Sequence, residues 1–219
     1  VSGSAASGGS GAEPLPVPPP SVWNIANALT MLRILLVPVF AWLLLRDSGT
    51  GDSPDDVTSR LLATAAFTVA IITDRLDGDL ARKHNLVTNF GKIADPIADK
   101  ALTGAAFIGL SLLGELAWWV TIVVLIREWG VTALRFWVIR YGVMPASRGG
   151  KAKTVLQAIA LGLYLLPWHA NPEGHWYLTL FHWTAVVVMA AAVIVTLVTG
   201  LDYVGRALRL RAAAQGRTP

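Results

Sequence analysis

The sequence predicts an all-α integral membrane protein, with six transmembrane helices around a polar, metal-binding cavity that faces the cytoplasm. Three observations carry that prediction. Hydrophobic residues make up 54% of the 219-residue chain and charged residues only 15%, and the mean hydropathy is +0.54, a balance that suits lipid better than water as the surrounding solvent. Six apolar runs recur, each close to the ~20 residues that cross a hydrocarbon core. Carboxylates in or beside those runs, Asp74, Asp77, Asp95 and Asp99, need compensation, because a charge near the membrane centre costs roughly 2.5–3.5 kcal/mol on insertion scales. Divalent cations would supply it.

The elements follow in order. Residues 1–20 are rich in Ser, Gly, Ala and Pro, with Glu13 as their single charge, so a disordered segment is expected. It lacks a cationic start and an apolar run, which argues against a signal peptide, and the absent initiator methionine points to processing or an expression remnant. A membrane domain is expected over 21–205, with spans at 27–45, 60–82, 90–113, 116–141, 153–168 and 178–203. The fifth is short and the fourth carries charge. Six spans leave no length for a second folded domain. Residues 206–219 carry Arg206, Arg209, Arg211 and Arg217 and are expected to form an amphipathic or surface-bound tail held to anionic lipid. Cysteine is absent, which removes disulfides and thiol chemistry.

An even number of spans puts both termini on one side. One set of connections carries Arg82, Lys83, Arg140, Arg148, Lys151 and Lys153, together with the basic tail. The other holds Arg46 and Arg60 beside Asp47, Asp52, Asp55, Asp56 and Glu173. The positive-inside rule therefore places both termini and the aspartates toward the cytoplasm, in what is expected to be a bacterial inner membrane.

Asp74 and Asp77 are three residues apart and Asp95 and Asp99 four, so on helices each pair shares a face and two helices can aim both pairs at one point. Gly78 and Ala81 lie on the first of those faces and Gly91 precedes Asp95 by a turn, leaving room for a bulky ligand. Arg82 is a cation in reach of a phosphate held by the same metals. Magnesium prefers carboxylates with substrate phosphates, and manganese can substitute. Two such ions can hold the attacking and leaving oxygens of a phosphoryl-type transfer together.

Written out, the stretch is Asp74-x2-Asp77-Gly78-x2-Ala81-Arg82-x8-Gly91-x3-Asp95-x3-Asp99. It resembles the signature of the CDP-alcohol phosphotransferase family, with no departure at its fixed positions. The resemblance implies a six-helix membrane enzyme, usually a homodimer, that uses two metal ions to move a phosphatidyl-type group from a CDP-linked lipid to an alcohol. It makes CDP-diacylglycerol the donor, with Gly78, Ala81 and Arg82 lining its pocket and its pyrophosphate bridging the metals. Asp74, Asp77 and Asp95 are read mainly as ligands. The resemblance also implies Asp99, a fourth ligand, as the base for the acceptor hydroxyl; one carboxylate can serve both metal and proton transfer, so the partition stays open.

Asn27, Thr30 and Arg33 recur on one face of the first span and resemble the Asn-x2-Thr-x2-Arg of phosphatidylglycerophosphate synthases, a branch of that family. They would face the nucleotide or its phosphates. The alternative is that Asn27 and Thr30 cap or pack the helix while Arg33 snorkels to head groups.

Arg127, Glu128, Thr132 and Arg135 stand inside the apolar fourth span, followed by Arg140, Arg148, Lys151 and Lys153 at its exit. So many cations imply an anionic acceptor. Arg127, Thr132 and Arg135, with Lys151 and Lys153, are the candidate acceptor-phosphate residues, since guanidinium groups suit bidentate phosphate binding. Against this, Arg127 can simply pair with an acidic neighbour, and the exit cluster can serve only orientation or anionic lipid.

Arg127-Glu128-x3-Thr132-x2-Arg135 and Gly150-Lys151-x-Lys153-Thr154-x2-Gln157 are again similar to phosphatidylglycerophosphate synthases. That likeness implies CDP-diacylglycerol plus sn-glycerol 3-phosphate giving phosphatidylglycerophosphate plus CMP, a step toward phosphatidylglycerol and cardiolipin. Phosphatidylinositol phosphate synthesis is the sister reading, because it too needs a phosphorylated acceptor. An intramembrane prenyltransferase is expected to be longer, with well-separated aspartate pairs, and a cation transporter leaves Gly78, Ala81, Arg82 and Gly91 unexplained. Membrane lipid is an expected partner and nucleic acid is not.

Other residues read as ordinary. His84, His169, His175 and His182 lack metal-ligand spacing. Trp118, Trp119, Trp168, Trp176 and Trp183 suggest an aromatic belt at the external face. Asp79 is expected at the cytoplasmic surface, and Asp202 and Tyr203 in packing or at the head-group boundary.

Overall fold

A computed structural model describes residues 25–46, 54–83, 89–138, 148–167, 175–214 and 216. The N-terminal segment, the connections at 47–53, 84–88, 139–147 and 168–174, residue 215 and the last three residues lie outside the described residues, as do the side chains at 26, 77–83, 89–93, 95–96, 148 and 214. Six helices follow one another: α1 (Ile25–Leu45), α2 (Pro54–Lys83), α3 (Asn89–Leu112), α4 (Trp118–Val138), α5 (Arg148–Tyr164) and α6 (Trp176–Ala214). Each falls on one of the six apolar runs, and no strand occurs among the described residues.

The helix ends follow local chemistry. α2 begins upstream of the expected boundary at 60 because Pro54 opens it and Asp55 and Asp56 occupy its first turn. A proline there lacks only a donor that would have no partner, and acidic side chains favour the positive helix end. α3 stops at Gly114, whose φ is 77°; Glu115 N donates to Leu110 O at 3.0 Å and Gly114 N to Ser111 O at 3.1 Å, so a left-handed residue satisfies the last carbonyls. Gly114→Ala forces a Cβ into that region and is expected to cost about 1 kcal/mol. A lower thermal unfolding midpoint in detergent is the expected readout, and an unchanged midpoint would contradict it.

α6 runs through the basic tail to Ala214 and is 39 residues long, where the expected span stopped at 203. Ala, Leu and Arg in the tail are good helix formers. Arg206 pairs with Asp202 one turn earlier at 2.9 Å. The Arg211 guanidinium lies 5.2 Å from the Trp137 ring centre, tying the tail to the end of α4.

Among the described residues three helices are long and apolar enough to cross a membrane, through Asn27–Leu45, Asp55–Leu76 and Trp176–Ala213. The expectation of six apolar spans thus narrows to three by composition. α3 carries Asp99 and Lys100, α4 carries Arg127, Glu128 and Arg135, and α5 has only 17 residues. Helices that line a polar interior give up the uniform apolarity that lipid contact demands.

α1 packs on α2 and α3, α4 and α5 pack on α6, and α3 joins the two groups through α4 and α5. The shared core includes Phe40, Phe67, Phe107, Leu110, Leu161 and Met189. α1 and α3 approach so closely that a Cβ on Gly109 would sit 2.5 Å from Leu44 Cδ2, which is how small residues let helices meet in lipid. Ser111 and Thr121 hydroxyls bond at 2.7 Å between α3 and α4. Large apolar side chains such as Leu35, Ile72, Val187, Ile194 and Leu201 face outward, as they do on a protein solvated by lipid tails. Trp118, Trp119, Trp176 and Trp183 are also exposed.

Arg60 departs from its expected place among the loop charges. It is 1% exposed and reaches the end of α5, where Nε donates to Leu165 O at 3.0 Å and an Nη to Tyr164 O at 2.9 Å. The same nitrogen meets the Glu115 carboxylate, and Thr64 Oγ1 adds a bond to Leu165 O at 2.7 Å. The last carbonyls of α5 lack helical donors. Arg60 supplies them.

Candidate active site

α2 delivers Asp74 and α3 delivers Asp99 to the wall of one cavity of about 830 Å³. α4 contributes Arg127, Glu128, Thr132 and Arg135, the start of α5 contributes Gly150, Lys151 and Lys153, and α6 contributes Tyr203. All five candidate acceptor-phosphate residues therefore share one space with two of the four motif aspartates. Asp77 and Asp95 belong to the same two helices, but their side chains lie outside the described ones, as do those of Asp79, Gly78, Ala81, Arg82 and Gly91.

Arg33 approaches from α1. It is 0% exposed, and its Nη1 lies 2.8 Å from Asp74 Oδ1. It therefore does not snorkel to head groups; its cation compensates a carboxylate beside the cavity, the arrangement a buried charge requires. Asn27 and Thr30 are buried on the same helix, and neither is among the residues that bound the cavity.

Glu128 is the hub of the opposite wall. Its Oε1 accepts from Arg127 Nη1 at 3.0 Å and from Lys153 Nζ. Arg127 also donates through Nε to Thr196 O at 3.0 Å and through Nη2 to Thr199 Oγ1 at 2.8 Å. A Cβ on Gly200 would come within 3.0 Å of the Arg127 stem, so this glycine leaves room for the side chain. Gln157 Nε2 donates to Thr196 Oγ1 at 3.0 Å, fastening α5 to α6 beside them. Arg127 thus does pair with its acidic neighbour while also lining the cavity.

Arg135 is held differently. Its Nη2 donates to Tyr203 Oη at 2.7 Å, and its guanidinium lies 4.9 Å from the same ring's centre. Tyr203 is buried, as a packing role requires, but it also fixes a cavity cation. Lys100 went unassigned in the sequence reading. Its Nζ meets Thr132 Oγ1 and stands 5.2 Å from the Trp129 ring centre. A lysine inside an apolar segment, next to Asp99, was a signal by the same rule that singled out Arg127.

Among the described residues no group of three or more His, Cys, Asp or Glu side chains converges, with Asp77 and Asp95 outside that set. Asp74 and Asp99, the two motif aspartates whose side chains are described, line a cavity of about 830 Å³ together with Glu128 and the cations Arg127, Arg135, Lys151 and Lys153. Hard oxygen donors facing a phosphate-sized site fit magnesium or manganese.

The CDP-alcohol phosphatidyltransferase profile matches residues 23–198. A Mycobacterium tuberculosis (strain ATCC 25618 / H37Rv) protein named "Probable phosphatidylglycerophosphate synthase" is 53% identical over 186 residues, covering 85% of this chain and 82% of the relative. The "CDP-diacylglycerol--glycerol-3-phosphate 3-phosphatidyltransferase" of Bacillus subtilis (strain 168) is 38% identical over 187 residues, covering 83% of this chain and 94% of the relative. An Escherichia coli (strain K12) protein of the same name is 36% identical over 156 residues, covering 68% of this chain and 79% of the relative. On the motif, the profile and these identities, the chain belongs to the CDP-alcohol phosphatidyltransferase family.

Proposed function

We propose that this protein transfers the phosphatidyl group of CDP-diacylglycerol to sn-glycerol 3-phosphate, giving phosphatidylglycerophosphate and CMP. The observation that carries the reading is that Asp74 and Asp99 share one cavity with Arg135, Lys151 and Lys153. A site that joins two phosphorylated reactants needs carboxylates for a metal-held diphosphate and separate cations for the acceptor. The names of the relatives from Bacillus subtilis and Escherichia coli support the same donor and acceptor.

Asp74, Asp77, Asp95 and Asp99 would hold two magnesium ions, with manganese as a substitute. When bound, the metals supply charge neutralisation at the diphosphate. Arg33 pairs with Asp74 and holds it in place, while Asn27, Thr30, Gly78, Ala81 and Arg82 would bind the CDP-lipid. Arg135, Thr132, Lys151 and Lys153 receive the acceptor phosphate, with Arg127 behind them. The acceptor's primary hydroxyl attacks the phosphorus bearing the diacylglycerol, the bond to CMP breaks, and Asp99 takes the hydroxyl proton.

The bundle sits in a bacterial inner membrane with all six helices inserted, the cavity and both termini on the cytoplasmic side. The protein works as a homodimer, and its outward apolar faces meet lipid. Arg135→Ala is expected to raise the Michaelis constant for glycerol 3-phosphate about tenfold or more, the size of a lost charged hydrogen bond, and the donor's far less. Equal effects on both would remove Arg135 from the acceptor site. The reaction itself is tested by incubating purified protein with CDP-diacylglycerol and labelled glycerol 3-phosphate. Magnesium-dependent label in the lipid phase, absent with chelator, is expected; label that stays in the aqueous phase would overturn the reading.

A further inference from the structure

The cavity cations fall into two groups by what holds them. Arg127 and Lys153 both donate to one carboxylate, Glu128, which offsets their charge before any substrate enters. Lys100 and Arg135 make no ion pair with a carboxylate among the described residues. Their partners are neutral: a hydroxyl and a ring face each, Thr132 and Trp129 for Lys100, Tyr203 serving as both for Arg135. Such partners orient a cation without cancelling its charge.

The two sets of contacts also converge. Thr132 and Arg135 are three residues apart on α4, so they share a helix face, and Thr132 Oγ1 is anchored by donating to Glu128 O at 2.9 Å. Lys100, tied to Thr132 from α3, is thereby brought to the turn of α4 that carries Arg135. All three residues line the cavity. An incoming phosphate dianion would exchange neutral partners for charge-assisted ones at Lys100 and Arg135, a gain of roughly twofold in bond strength. At Lys153 it would have to compete with Glu128.

We propose that Lys100 contacts the acceptor's phosphate directly, forming with Arg135 a two-sided grip from α3 and α4, beside Lys153, whose charge is shared with Glu128, and with Arg127 behind. This rests on the phosphatidyl-transfer reading and adds a binding residue to it. Lys100 directly follows Asp99 in α3, so one helix turn would grip the acceptor's phosphate and face its hydroxyl.

The test compares full-length wild-type protein with Lys100→Gln and Lys100→Arg, measuring CMP release against both substrates. Lys100→Gln is expected to raise the Michaelis constant for glycerol 3-phosphate about tenfold or more while shifting the CDP-diacylglycerol constant far less, with Lys100→Arg recovering most of the loss. A fall in kcat alone, or equal changes in both constants, overturns the proposal. If Lys100→Gln does not elute as folded protein, Lys100→Met, which also removes the charge, carries the test through inorganic phosphate as a competitor of glycerol 3-phosphate. A changed inhibition constant supports the contact, and an unchanged one overturns it. Wild-type protein that releases no CMP with glycerol 3-phosphate overturns the parent reading, and this one with it; an active wild type whose variants fail the split overturns this one alone.

Discussion

Asp99→Asn is expected to abolish turnover while leaving CDP-diacylglycerol binding largely intact. The substitution keeps the size of the side chain and removes its capacity to accept a proton, a contribution of about 10²–10⁴ in rate for a positioned base. Asp99 lines the same cavity as Lys153 and Arg135, the candidate acceptor-phosphate residues, so an acceptor hydroxyl held there would be presented to it. Asp74→Asn is the comparison. Because Asp74 is the partner of the buried Arg33, its loss should weaken both donor binding and turnover. The check is a donor-binding titration run beside single-turnover CMP release. Retained turnover in Asp99→Asn would remove it as the base.

Arg60→Leu is expected to cost about 3–5 kcal/mol of stability, the range for breaking a buried ion pair from one side. The loss leaves the Glu115 carboxylate without this cation and removes two donors from the carbonyl end of α5. Adding Glu115→Gln should recover part of the loss, because the carboxylate no longer needs an opposite charge. Thermal unfolding of the purified variants in one detergent measures both effects. An Arg60→Leu midpoint equal to wild type would show that the α5 end is held by packing alone.

What could be read from the sequence was what is local in it. The spacing of Asp74 with Asp77 and of Asp95 with Asp99 is a helical period, so a common face for each pair was legible before any fold, and Asp74 and Asp99 line one cavity. The apolar runs located all six helices, with every boundary but the end of α6 within six residues. The α6 boundary was missed because hydropathy falls after Tyr203 while helix propensity does not, so the helix outlasts the apolar stretch.

Long-range pairing was beyond reach. Lys100 meets Thr132 across 32 positions, and Arg135 meets Tyr203 across 68. Neither separation leaves a periodic trace, so Lys100 has no role legible in the sequence and Tyr203 only one in packing or at the head-group boundary. Arg60 misled for a related reason. At the edge of an apolar run a lone arginine reads as a loop charge, and its partners, Glu115 and the end of α5, come from two distant segments. Arg33 was legible as a candidate and ambiguous in role until Asp74 was found beside it.

Asp74 and Asp99 share one cavity with acceptor-binding cations, as a glycerol 3-phosphate-dependent phosphatidyltransferase requires. The most direct measurement is CMP release by the purified protein from CDP-diacylglycerol with magnesium, comparing sn-glycerol 3-phosphate, inositol 1-phosphate and no acceptor. Release that depends on glycerol 3-phosphate is the predicted result. Release with inositol 1-phosphate alone, or none with either acceptor from folded protein, would contradict it.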